Sequence, residues 1–202
     1  MLNPIMLYLK VKDFHTAPPG NSYRLLEKLN YIKLSIYNKN MKIKIMDNAK
    51  KKKFIQKVSY LGIKKIPYLL LNTGNERIAA YSGSLSVDEL YRYSELLWME
   101  GVGLYFAKDF GDETRLSLDA LHLLKEQITE NIIDVNESQV VQWFEGKTIE
   151  LTEKQQEEAT KKNTEGFVAV RFEEDFIGTG KISQDKKFVS SFLPKERRVK
   201  SY

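Results

Sequence analysis

The residues best equipped to do chemistry stand near the end of the chain, and that chemistry is the gripping of anions. Lys195, Arg197, Arg198 and Lys200 crowd together, offset only by Glu196; Lys186 and Lys187 precede them by about one strand length, and Lys181 stands earlier still. An ammonium meets phosphate as a point charge and a guanidinium as a planar fork, so such a cluster suits a polyanion. Lys181, Lys195, Arg197 and Arg198 are the first candidates for phosphate contact. Lys186 and Lys187 would join them if a hairpin brought both groups to one face. Phe176 and Phe192 lie among these cations and read as core residues rather than as stacking platforms.

Little else in the chain is equipped for catalysis. The absence of cysteine removes disulfides, thiol chemistry, Fe–S clusters and thiolate zinc sites together. His15 and His122 are far apart and show no metal-ligand spacing, so no metal site is expected. His122, flanked by leucines, reads as structural. No Ser-His-Asp order or phosphate-binding loop is present, and Gly178-Thr-Gly180 lacks the third glycine and following helix of a dinucleotide fingerprint. Dispersed carboxylates such as Asp109, Asp112 and Glu113 are all that an enzyme would have to work with. No catalytic residue and no cofactor are therefore expected. The formal charge of +5 favours RNA, DNA or another anionic surface without choosing among them. No secretory h-region and no apolar run of bilayer length is apparent, which predicts a cytoplasmic protein without a membrane partner.

The elements that position these residues fall into two halves. Ile5–Val11 is β-rich and runs into Thr16-Ala-Pro-Pro-Gly20, after which Asn21 or Ser22 caps a helix. Met41–Met46 alternates as a strand does, and residues 50–60 place Phe54, Ile55 and Val58 on one helical stripe ahead of Leu61. The Lys50–Lys53 run reads as that helix's solvated face. Pro67–Leu71 and Ile78–Tyr81 are strands about an Asn-Thr-Gly-Asn turn, and Ser86 with Glu89 forms a capping box. The order βαβαββα, with Gly62-Ile-Lys-Lys-Ile-Pro67-Tyr-Leu-Leu-Leu71, resembles the thioredoxin and glutaredoxin fold. That resemblance implies a cis peptide before Pro67. It also places the redox cysteines in the Thr16–Ser22 stretch, where this chain has none, so it implies a redox-inactive module serving as a docking surface for a protein partner.

The pattern changes near Trp98–Gly103. Leu104–Ala107 reads as a strand, Arg115-Leu116 opens another segment, and Ser117 caps a helix. Asn136 with Gln139 caps a further helix carrying Trp143, which Gly146 stops. Residues 152–165 lack an apolar face and read as a mobile loop or short polar helix. Residues 166–172, 175–182 and 188–193 are strand-like, Gly178 and Gly180 permit a bulge or a close approach, and Leu193-Pro194 ends the last strand.

Gly101–Lys108, Arg115–Leu121, Trp143–Lys147, Asp175–Lys181 and Leu193–Arg198 together resemble PUA-like RNA-binding domains, notably those accompanying RNA cytosine methyltransferases of the Nop2/Sun type. The methyltransferase half of such proteins, with its cofactor loop and cysteine nucleophile, has no counterpart in this sequence. The expected architecture is thus α/β plus α+β, a thioredoxin-like domain over residues 1–98 followed by a small PUA-like β-barrel over residues 99–202. The resemblance implies a non-catalytic protein that grips structured RNA such as tRNA or rRNA. The alternative is a protein–protein adaptor or structural subunit of a larger assembly, including a viral one.

Overall fold

The computed structural model describes residues 43–74, 76–96 and 101–199. The strand and helix expected over residues 5–29, the Thr16–Ser22 stretch, His15 and Lys200 lie outside them.

Helix α1 (Asn48–Val58) begins where the Asp47 side chain accepts the Lys50 N–H at 2.8 Å, satisfying one of the donors a helix start leaves free. Its stripe buries Phe54 and Val58, and the 3-10 turn Ser59–Leu61 continues it with Leu61. Strands β1 (Lys44–Ile45), β2 (Leu69–Asn72), β3 (Arg77–Tyr81), β4 (Leu104–Asp109) and β5 (Thr114–Leu116) form a five-stranded sheet in sequence order, antiparallel at every pairing. Helix α2 (Val87–Leu96) lies between β3 and β4, and Ser86 with Glu89 makes the reciprocal cap expected of it.

One feature implied by the thioredoxin resemblance is corrected here. No cis peptide occurs among the described residues, so the bond before the exposed Pro67 is trans, the lower-energy isomer for X–Pro. The sheet does not end at residue 98. Ala79 and Ala80 of β3 sit opposite Tyr105 and Leu104 of β4, carrying backbone hydrogen bonding across the expected 98/99 division.

Past β5, Ser117 caps α3 (Leu118–Leu123), its hydroxyl accepting the Ala120 N–H at 3.0 Å. A second five-stranded sheet follows, ordered β6-β8-β9-β10-β7, from β6 (Ile132–Asp134), β7 (Ile149–Glu150), β8 (Phe167–Phe172), β9 (Asp175–Ile182) and β10 (Phe188–Ser191). Only β6 with β8 is parallel. Helices α4 (Glu137–Phe144) and α5 (Glu153–Lys161) pack against this curled sheet. The core of the first sheet, with Phe54, Leu70, Ile78, Phe106 and Leu121, also takes in Ala169 of β8 and Phe176 of β9. The two sheets therefore share apolar packing and do not meet merely through a linker.

The edges β6 and β7 are joined by side chains. Gln139 donates to the Glu150 carbonyl of β7 at 2.8 Å, Gln155 donates to the Asp134 carbonyl of β6 at 2.6 Å, and the two amides exchange bonds with each other at 2.9 Å. Each also accepts the N-cap N–H of its own helix, from Asn136 and Thr152. Of the two forms the sequence allows for residues 152–165, the short polar helix is the one observed over Glu153–Lys161. Thr152 and Gln155 complete a capping box, and Ala159 is buried against the sheet. Replacing Gln155 by Ala leaves the buried Gln139 amide short of a partner. We expect a loss of about 1–3 kcal/mol, read from urea unfolding, with a smaller loss for Gln155→Glu, which keeps an acceptor.

Candidate nucleic-acid interface

The geometry of the interface starts from a bulge. Arg171 pairs with Phe176 and Val170 with Gly178, leaving Ile177 as the extra residue, so the faces of β9 exchange at that point. Beyond it, Gly178, Gly180 and Ile182 face Trp143, whereas Thr179 and Lys181 face the first sheet. Gly178 is required because its φ is +152° and an added Cβ would lie 2.8 Å from Trp143 Cζ2. Trp143 is fully buried and donates its Nε1–H to the Ile177 carbonyl at 2.9 Å, which holds the bulge in place. Thr179 Oγ1 donates to the Leu116 carbonyl at 2.7 Å and fastens β9 to β5.

Towards the Lys181 end, this face opens to solvent and forms a ladder of rings and cations. Phe110 stacks on Phe167 with centroids 6.2 Å apart and planes 19° apart, and Phe167 meets Phe192 edge-on at 5.6 Å. Lys108 Nζ lies 4.6 Å from the Phe110 ring centre, Lys181 Nζ 5.2 Å from that of Phe167, and the Arg115 guanidinium 4.6 Å from that of Phe192. Phe110 and Phe192 are 43% and 38% exposed, whereas Phe167 is a buried base to the stack. Ring quadrupole and cation attract, so the cations are held over the rings instead of trailing into water. Beside the ladder a cleft of about 110 Å³ is bounded by Tyr105, Arg115, Asp119, Thr179, Phe192 and Arg197. Exposed rings and guanidinium planes of this kind can stack unpaired bases while the cations meet phosphates.

The expected site residues do not form one patch. Lys181 joins the ladder and pairs with Glu113 at 2.7 Å; Arg197 reaches Asp119 at 3.0 Å beside the cleft. Arg198 donates from Nε to the Leu193 carbonyl at 3.0 Å and lies against Gly146, where a Cβ would come within 2.5 Å of Nε. Lys195 is exposed in the 3-10 turn Lys195–Arg197, with no described carboxylate at ion-pair distance. Lys186 and Lys187 occupy the β9–β10 turn, at the opposite end of β10 from that exit, so the single face expected for them is corrected. A strand of four residues separates the groups, and antiparallel pairing holds it extended. Phe176 is core, as expected, but Phe192 is a surface rung. Lys108, Phe110, Arg115 and Phe167 were not singled out by the sequence; the only local hint was the alternation of Lys108 with Phe110.

His122 donates from Nε2 to the Phe176 carbonyl at 2.7 Å, a structural bond. Of the carboxylates Asp109, Asp112 and Glu113 that offered an enzymatic option, the first and last are engaged. Asp109 accepts Lys57 Nζ at 2.9 Å through both oxygens, and Glu113 holds Lys181.

Residues 130–199 match the family described as the Methyltransferase RsmF PUA domain. The match covers about a third of the chain, from just before β6 to the C-terminal 3-10 turn. No curated protein matches the chain. A PUA-like region points to RNA as the ligand, and the ladder adds a geometric particular. Phe167, Lys181 and Phe192 belong to the matched region, whereas Lys108, Phe110 and Arg115 precede it. The interface is therefore assembled across the limit of the family match. No helix among the described residues is long and apolar enough to cross a membrane.

Proposed function

We propose that this protein is a non-catalytic RNA-binding protein whose PUA-like region and β4–β5 hairpin grip structured RNA together. The observation that carries this reading is the Lys108–Phe110–Phe167–Phe192–Arg115 ladder beside the PUA-like strands. In this reading unpaired bases of a folded RNA such as tRNA stack at Phe110, Phe192 and the Arg115 plane, and Lys195, Arg197 and Lys181 meet phosphates. Lys186 and Lys187, at the other end of β10, contact a separate part of the backbone.

Salt dependence tests it. Filter binding of tRNA should weaken steeply with salt, and Lys195→Gln with Arg197→Gln should reduce the log–log slope by roughly 1–2, for about one phosphate each. An absence of RNA binding at low salt overturns the proposal. The adaptor reading draws on Tyr91, Tyr93 and Leu96 of α2, which are 40%, 40% and 68% exposed. A stoichiometric protein partner that survives nuclease treatment, with no affinity for RNA, would favour it.

A further inference from the structure

Read from sequence, the lysine run of α1 is a solvated face. In the structure part of it lines a concavity. Lys44, Lys50, Lys53 and Lys57 edge a cleft of about 530 Å³ whose apolar floor includes Phe54 and Ile78. Positions 50, 53 and 57 recur at helical spacing and so share one face of α1. Lys51, next in the run, turns away and donates to the Tyr68 carbonyl at 2.7 Å, where burial lowers its pKa.

The charges in this cleft are unevenly matched. Lys57 is committed to Asp109. Lys50 pairs with Asp47 at 2.9 Å, but both side chains are more than half exposed, so that pair is weak and exchangeable. Lys44 and Lys53 have no described carboxylate at ion-pair distance. Cations gathered in a hollow repel one another and focus a positive potential there, which an anion relieves.

The cleft is also continuous with the ladder. Asp109 and Gly111 line the cleft, while Phe110 between them stacks on Phe167. Glu76, on the cleft wall, pairs at 3.0 Å with Lys108, which lies over Phe110. The β4–β5 turn is thus a ridge with rings on one side and lysines on the other.

We propose that the cleft receives the phosphate backbone of the same RNA strand whose bases stack on the ladder, extending the RNA footprint onto α1. This rests on the RNA-binding reading above. Lys44, Lys50 and Lys53 supply the contacts, and Lys57, held by Asp109, fixes the helix against the ridge.

The test uses the full chain, oligouridylates of about four and about twelve nucleotides, and the variant Lys44→Gln/Lys50→Gln/Lys53→Gln. These side chains are exposed or at the rim, and circular dichroism confirms that the variant is folded. The longer oligomer should bind the wild type more tightly, with a salt slope greater by roughly 0.7 for each added phosphate contact. In the variant that difference in slope should largely vanish, while binding of the short oligomer stays within about twofold. An unchanged slope for the long oligomer in the variant, with wild-type binding intact, overturns this inference alone. A wild type that binds neither oligomer nor tRNA overturns the RNA reading and this inference together.

Discussion

Trp143→Ala is expected to destabilise the protein by about 3–5 kcal/mol, a large part of the stability of an ordinary domain. The indole is fully buried and packs against Gly178 and Gly180 of β9, with Val168, Val170 and Val189 in the same core. Truncation leaves a void that β9 cannot fill, because neither glycine has a side chain to move into it. It also removes the Nε1–H donor from the Ile177 carbonyl, which is set at the bulge. Urea unfolding followed by far-ultraviolet circular dichroism reads the effect as a fall in midpoint. A loss below about 1 kcal/mol would show that the indole does not hold the bulge. Because the bulge aims Thr179 and Lys181 at the first sheet, the variant should also loosen the ladder at temperatures where it remains folded.

Phe110→Ala with Phe192→Ala is expected to lower affinity for unpaired RNA by about thirtyfold or more, since stacking contributes about 1–3 kcal/mol per base and two rings are removed. Both rings are exposed, so the cost to folding is small. The diagnostic feature is a split between affinity and salt dependence. Removing rings takes away stacking and leaves the phosphate contacts, so the log–log salt slope should hold while affinity falls. Phe192→Trp should retain binding. Fluorescence anisotropy with a labelled single strand measures both quantities. An unchanged affinity would mean that the ladder only staples the hairpin to β8, and a changed slope would mean that Lys108 and Arg115 lost their positions with the rings.

Local rules made much of the second half legible. The Ser117 cap, the Asn136–Gln139 box, the stop at Gly146 and the glycines of β9 each depend on residues within a few positions of one another. The cap at Thr152 was equally local, yet the scarcity of apolar residues in 152–165 masked it. One alanine and two amides hold α5 in place, and composition weighs them lightly.

The sequence by itself determined the capped helices, the hairpin of β9 and β10, the exit at Leu193-Pro194 and the absence of thiol chemistry. Each follows from hydrogen bonds and hydrophobic periods confined to a short stretch of chain. Only the tertiary structure decided what those elements do together. It paired β3 with β4 across the expected domain limit, closed the curled sheet with Gln139 and Gln155, tied Arg198 Nε to the Leu193 carbonyl and parted Lys186 and Lys187 from the basic exit. It also brought Phe110 against Phe167 and Arg115 against Phe192. Such contacts join residues many tens of positions apart, and their energy lies in pairing and packing that no local window contains.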